Sequence, residues 1–285
     1  MSKLEAQKAL NAGDLDACKV ALFAAVRAKP EDAELRAFLF QYACVVGDWD
    51  RALKSLDALA ALKPDAIDLV DDYRCAIAAE KTRAAVWAGK ARPSIMGAPA
   101  AWIAQMAEAA RLEAEGAAQA AHDMRAEALD AAPVTPGRSD ETGFEWFADA
   151  DTRLGPILEV VLNGEYHWMP FSDVAELTLE PPKDLRDVVW AVGLLTGVGA
   201  DEPWPVMVPV RYPGSEAGEA AIQLGRRTEW RELAGEHAAG LGQRLFATDG
   251  GDIAALDLRR LTFDHPAPAE GEPAAKVEGA DGDDG

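Results

Sequence analysis

The sequence predicts an α+β protein, in which an N-terminal all-α, tetratricopeptide-like helical repeat precedes a smaller, mainly antiparallel β domain. Two observations support this prediction. The string Gly-Asp-x-Asp recurs at Gly13 and Gly47, 34 residues apart, and a proline follows each at the same distance. After Pro133 the helix-favouring alanine runs give way to short apolar segments separated by turn residues. The predicted domains are residues 1–132, helical, and residues 133–264, β-rich; residues 265–285 are predicted to be a disordered acidic tail.

The repeat contains the residues that end one helix and begin the next in a helical hairpin. Glycine at Gly13 and Gly47 can take the left-handed conformation that ends a helix, and the aspartate after each can cap the next helix. Pro30 and Pro64 suit the first turn of a helix and stop the one before. A period of 34 residues is typical of tetratricopeptide repeats, and a weaker third unit is predicted to begin at Gly116.

Further helices are predicted over residues 66–88 and 100–115, with a turn at residues 93–99 between them. In the β-rich part, Asn163-Gly164 is a strong hairpin signal, although its first arm, residues 158–162, could instead be a short helix. The remaining predicted strands cover residues 174–179, 187–195, 206–212, 221–230, 241–248 and 253–263.

The charge of the chain limits its partners. Its 285 residues carry a formal net charge of −21, which repels nucleic acid phosphates and anionic lipids. No run approaches the roughly 18 apolar residues of a membrane span, and the N-terminus has no signal-peptide core, so a cytoplasmic location is expected. The cysteines are widely spaced on apolar helical stretches and are predicted to be small buried hydrophobes: Cys18, Cys44 and Cys75.

The tail from His265 onward is rich in proline, alanine, glycine and acidic residues. Such a segment buries too little apolar surface to offset the entropy lost on ordering, so we expect it to be disordered and to aid solubility.

No catalytic motif is found, so the chain is predicted not to be an enzyme and to need no cofactor or metal. The segment from Asp149 through Asp151 to Arg153 begins like a calcium loop, but Arg153 and Leu154 stand where a ligand and glycine are needed. A polar turn with a carboxylate–arginine pair is favoured there, and a hydrolase using this turn is an alternative. His167, between two aromatic residues on a predicted strand, is expected to be structural.

The segment around Arg226, Arg227 and Trp230 is the most polar and aromatic patch of the second half. Arginine and tryptophan are enriched at protein-recognition hot spots, so these three are candidate partner-binding residues. The competing interpretation is an internal ladder of ion pairs that supports a buried tryptophan.

Several segments of the chain form a characteristic series when taken in order: residues 38–41, 47–49, 135–138, 144–156, 163–164, 185–187, 211–216, 226–230 and 240–244. In their order these segments resemble the ImpE/TagJ family, also called SciE-type, of bacterial type VI secretion accessory proteins. The resemblance runs to residue 264, and Arg211 and Tyr212 join the candidate partner-binding residues.

The resemblance implies a cytoplasmic accessory protein without catalytic activity. It implies that the partner is the N-terminal helix of the small sheath subunit, TssB, and that the protein assists sheath handling beside ClpV, the AAA+ ATPase that disassembles the contracted sheath. A general scaffold unrelated to the sheath and a structural role in a homo-oligomer are the alternatives. The concave groove of the helical repeat and the strand from Arg226 to Trp230 are the two alternative faces for the partner.

Overall fold

A computed structural model of the protein describes residues 2–97 and 100–265. Of the tail predicted over residues 265–285, only His265 is among the described residues, so the predicted disorder lies outside them. The α-helices of the described part are α1 Lys3–Asn11, α2 Leu15–Ala28, α3 Ala33–Val45, α4 Trp49–Leu62, α5 Ile67–Trp87, α6 Ala101–Ala114, α7 Ala118–Ala131 and α8 Ala220–Gln223.

The helical hairpins form where the repeat predicts them. Gly13 and Gly47 both have positive φ, at +79° and +69°, between the two helices of a hairpin. The side chain of Asp14 accepts a hydrogen bond from the Ala17 amide at 2.8 Å and so caps α2, and Asp48 caps α4 in the same way. Helices α6 and α7 form a third hairpin whose turn contains Gly116. None of the described helices is long and apolar enough to cross a membrane.

The strands of the described part are β1 Ser94–Ile95, β2 Gly137–Ser139, β3 Thr142–Phe144, β4 Phe147–Asp149, β5 Ile157–Leu162, β6 Glu165–Pro170, β7 Val174–Leu179, β8 Trp190–Gly197, β9 Trp204–Pro209, β10 Thr228–Glu232, β11 Ala238–Gly242, β12 Leu245–Thr248, β13 Gly251–Ala254 and β14 Arg260–Phe263. Apart from β1, which lies between α5 and α6, the strands follow α7, and the short helix α8 lies between β9 and β10.

Nine strands form one sheet in the order β1-β6-β5-β9-β8-β7-β14-β2-β3, beside a β13-β12-β4 sheet and a β10-β11 pair. Every pairing between these described strands is antiparallel except that of β1 with β6, so the predicted α+β fold with a mainly antiparallel sheet is confirmed. The first arm of the Asn163-Gly164 hairpin is the strand β5 and not a helix.

Several predicted strands were wrong in part, because turns and packing override local strand preference. Residues 221–230 include the short helix α8, which buries Ile222, and β10 begins only at Thr228. In the predicted strand 187–195, the first two residues belong to the 3-10 helix Leu185–Val188, and β8 begins only at Trp190. The predicted strands 241–248 and 253–263 are each two strands, and the short β1 was not predicted.

Helices and sheet share their apolar cores. One cluster joins α1 to α5 with Trp190 and Leu224 from the C-terminal half, and another joins α5, α6 and α7 with β5 and β6. A third cluster fills the space between the large sheet and β4 and β12. The helical repeat is therefore packed against the sheet along much of its length.

The 3-10 helix Leu185–Val188 packs on α3, so the chain itself covers part of the helical repeat. The Leu185 amide donates a hydrogen bond to Gln41 of α3 at 2.9 Å, and the Arg186 guanidinium donates to the Tyr73 hydroxyl of α5 at 2.5 Å. The part of α3 and α5 that Leu185–Val188 covers is therefore not available to a peptide ligand, although helical repeats of this kind bind peptides on such faces.

Two cysteines behave as predicted and one does not. Cys18 and Cys44 are buried, whereas Cys75 is exposed on α5. The prediction for Cys75 was wrong because Cys75 lies on the exposed face of α5, whereas the opposite face of the same helix buries Tyr73, Ala76 and Ile77.

Candidate partner-binding surface

The five candidate partner-binding residues divide into a buried and an exposed group. Arg211 and Tyr212 are buried, so in this structure neither side chain is accessible to a partner. Arg226 and Arg227 are exposed just before β10, and Trp230 is exposed within it.

Arg211 holds three segments together. Its guanidinium donates hydrogen bonds to the Val45 carbonyl at 2.9 Å and to the Gln223 carbonyl, at the ends of α3 and α8. Burial lowers the pKa of Arg211 to about 10, which still leaves it charged at neutral pH. Its role is therefore to tie the helical repeat to the C-terminal half.

Tyr212 lies directly beneath β10 and β11. Its hydroxyl donates to Asp149 at 3.1 Å and accepts a hydrogen bond from the Leu245 amide at 3.0 Å. Its ring contacts the Trp230 ring, with 5.6 Å between the centroids. Tyr212 thus supports Trp230 from inside the protein.

Trp230 is the exposed aromatic residue of β10, with 43% of its surface accessible. Within the described residues β10 pairs only with β11, in a register that places Trp230 opposite Gly240. Arg227 lies beside this strand and pairs with Glu219 at 3.0 Å and Glu229 at 2.5 Å. The surface of β10 therefore combines an aromatic ring with a partly paired guanidinium.

Arg226 points back to the helical repeat. Its guanidinium donates to the carbonyls of Leu10 at 3.2 Å and Asn11 at 3.4 Å, at the C-terminal end of α1. A cation is favourable at that end of a helix because the last carbonyls have no partner within the helix. Both interpretations of this segment thus have support: Arg226 and the Arg227 ion pairs serve the fold, while Trp230 is exposed.

A buried charge network, which the sequence did not predict, lies under this surface. Its centre is Glu159, on β5 within a run of otherwise apolar residues. Arg83 of α5 donates two hydrogen bonds to the Glu159 carboxylate, at 2.9 and 2.8 Å, and Trp87 donates a third at 2.9 Å. Arg244 pairs with Glu159 as well, and with Asp149 at 2.7 Å. A charged residue inside an apolar strand was the one available signal in the sequence.

The electrostatics of the network favour an ionised Glu159. Burial opposes the charge, but the guanidinium groups of Arg83 and Arg244 hold the pKa of Glu159 well below its usual range. Because α5, β5 and the segment between β11 and β12 each contribute a charge, the network joins the helices to the sheet.

The turn from Asp149 to Arg153 belongs to the same region. Asp151 and Arg153 form the predicted carboxylate–arginine pair, 2.5 Å apart, so that prediction is confirmed. Asp151 also accepts a hydrogen bond from the Gly240 amide at 2.9 Å. With both aspartates buried and bonded to internal partners, the geometry favours a structural role for the turn over hydrolysis.

The histidines offer no clear catalytic arrangement. His167 is half-buried on β6, and His122 of α7 contacts His237, with 5.1 Å between their ring centroids. In the part of the chain that the structure describes, no group of three or more histidine, cysteine or acidic side chains could hold a metal ion.

The chain is similar to known proteins in both sequence and fold. A family model described as ImpE protein matches residues 141–262. The chain is 45% identical over 260 residues, 91% of each protein, to a relative from Pseudomonas aeruginosa strain PAO1 named type VI secretion system accessory component TagJ. The crystal structure of protein VPA1032 from Vibrio parahaemolyticus has the same fold, with a TM-score of 0.84 at 22% identity over 92% of this chain and 98% of that one.

Proposed function

This chain belongs to the ImpE family, and from that premise we propose that it is a non-enzymatic accessory protein of bacterial type VI secretion. In this proposal it acts in the cytoplasm, binds the N-terminal helix of the small sheath subunit TssB, and assists the disassembly of the sheath by ClpV. The observation that supports it most is similarity over nine tenths of the chain to a named accessory component.

The β10 surface, formed by Trp230 and Arg227, is the proposed contact for the partner helix. An exposed tryptophan that rests on a buried tyrosine can bury a large apolar area without losing much side-chain entropy. The face of α3 and α5 is less suitable because Leu185–Val188 already occupies it.

The first test is calorimetric titration of the protein with a peptide of the TssB N-terminal helix. We expect Trp230→Ala to weaken binding by about 2 kcal/mol, or roughly thirtyfold, because a central aromatic contact is lost. Trp146→Ala is the matched control, since Trp146 is 41% exposed at another site, between β3 and β4.

Three results of this titration would count against the proposal. No binding heat for the unchanged protein at high micromolar peptide would contradict the sheath contact and favour a general scaffold. Equal losses for Trp230→Ala and Trp146→Ala, or no loss for either, would contradict the β10 surface as the contact.

A further inference from the structure

The helices cover one face of strand β8 at its start, at Trp190, but not at its later residues. Alternate residues of a strand share a face, so Trp190, Val192 and Leu194 all lie on the side that the helices cover. Trp190 is fully buried among α3, α4 and α5 residues, Val192 is half-buried, and Leu194 is 45% exposed. The helices therefore cover only the first part of this face.

The neighbouring strand β9 repeats the pattern. Its residues Pro209, Met207 and Pro205 lie opposite Trp190, Val192 and Leu194 and go from buried through half-buried to exposed. Together the two strands leave an apolar shelf, defined as Val192, Leu194, Pro205 and Met207.

A groove follows the boundary between the shelf and α5. Its volume is about 240 Å³, and Asp72 and Cys75 of α5 line its helical side. The hairpin turn at Gly164 closes one end, where an added Cβ would lie 3.0 Å from the Cβ of Cys75. The groove thus has a helix as one wall and an apolar sheet as its floor.

The rim of the groove is acidic. Asp72 lines the groove and is exposed, and Asp68 is exposed one helical turn earlier on the same face of α5. The nearby base Arg74 is engaged with Asp57 at 2.6 Å and Asp71 at 2.8 Å. Within a chain of net charge −21, this rim attracts cations.

We propose that the shelf and its acidic rim are a second docking surface, which binds an amphipathic helix of a partner protein with lysine or arginine along one edge. The apolar side of that helix covers the shelf beside α5, much as the helices of this chain cover the adjoining part of the sheet. Its basic edge faces Asp68 and Asp72. A second copy of this chain fits less well, because two strongly acidic chains repel each other.

This surface lies apart from the β10 surface in sequence and in sheet, and it goes beyond the proposed contact with the sheath subunit. An accessory protein with two separate docking surfaces can hold two partners at once. The test therefore uses probes and variants that separate the two surfaces.

The probes are two model helical peptides of about 18 residues, or five turns, with the same leucine face. One carries lysines and the other glutamates on its polar face. Cys75 reports occupancy, because it is exposed in the groove while Cys18 and Cys44 are buried. We expect the lysine peptide to slow alkylation of Cys75 by iodoacetamide at least about tenfold and the glutamate peptide to have little effect, since its charge matches that of the rim.

The variants Leu194→Glu and Asp72→Lys change exposed side chains, and circular dichroism checks that each variant folds. Each variant should bind the lysine peptide about tenfold more weakly, Leu194→Glu because an apolar contact is lost and Asp72→Lys because the charge is reversed. Val134→Glu, at a residue 72% exposed elsewhere, and Trp230→Ala should leave its affinity unchanged.

The proposal is overturned if neither peptide protects Cys75, if both protect it equally, or if folded Leu194→Glu and Asp72→Lys bind like the unchanged protein. A loss of binding with Trp230→Ala would also overturn it, because the surfaces would then not be separate. Light scattering that shows a dimer with Cys75 already protected would assign the shelf to a second copy. Each of these results leaves the sheath-peptide titration to be judged by itself.

Discussion

At the scale of single residues, the centre of the structure is the carboxylate of Glu159. It accepts hydrogen bonds from two α5 residues and pairs with Arg244, so removing its charge leaves two buried guanidinium groups without their main partner. We expect Glu159→Gln to lower the free energy of unfolding by about 3–5 kcal/mol at neutral pH, measured by urea denaturation. The matched control is Glu176→Gln, which loses an ion pair with Arg260 at the surface and should cost at most about 1 kcal/mol.

The same variant has a defined pH dependence. The folded protein holds the pKa of Glu159 below its ordinary value of 4.5, so this charge stabilises the fold fully above that pH and progressively less below it. The difference in stability between the unchanged protein and Glu159→Gln should therefore shrink as the pH falls below 4.5. Urea denaturation at several pH values measures this difference in stability. A difference that stays constant or grows on acidification would show that the arginines do not stabilise a charged Glu159.

Residue roles were the hardest feature to predict from the sequence. Arg226, Arg227 and Arg211 have the same side chain and similar polar neighbours, yet one contacts the end of α1, one pairs at the surface and one is buried. What separates them is contact with segments up to 216 residues away, which no local pattern contains. The Asp151–Arg153 pair was predictable because its two members are neighbours in the chain.

At the scale of elements, the β10–β11 pair depends on close contact with Tyr212. Gly240 has no side chain, and a Cβ there would overlap the Tyr212 ring. Gly240→Ala should therefore lower stability by about 1–3 kcal/mol through overpacking, and it should disturb the fluorescence of Trp230, which lies opposite on β10. In Gly250→Ala the new methyl meets only the Thr248 hydroxyl at 3.6 Å, and we expect little change. Equal thermal stability of the two variants would contradict this role of Gly240.

Elements with strong local signals were predicted well. The glycine and aspartate of each repeat determine where α1 and α3 end and where α2 and α4 begin, and Asn163-Gly164 places a hairpin turn without help from the rest of the chain. The strand predicted over residues 221–230 was wrong in its first part, because burial of Ile222 favours a turn of helix there over a strand. The two-residue strand β1 carries no periodic pattern and exists only because β6 lies beside it.

At the scale of the whole molecule, the predicted division at residue 132 follows the change from helix to strand, but two apolar clusters cross it. Trp190 and Leu224 complete the core of α1 to α5, and β5 and β6 complete that of α6 and α7. Since neither half buries its apolar surface alone, we expect a single unfolding transition in differential scanning calorimetry, with equal calorimetric and van't Hoff enthalpies. Two resolved transitions would show that the halves unfold independently. The domain boundary itself stays a prediction.

The covering of α3 by Leu185–Val188 has a consequence for the nascent chain. Leu185 lies 144 residues after its hydrogen-bond partner Gln41. At about 5–20 residues per second, a ribosome needs roughly 7–30 s to add them. During that time the helical hairpins can already form, because their contacts are local, but the surface awaiting Leu185–Val188 stays bare. Each newly made molecule thus passes through a stage with an unprotected apolar surface, when chaperones at the ribosome exit can bind it and when it is most exposed to aggregation.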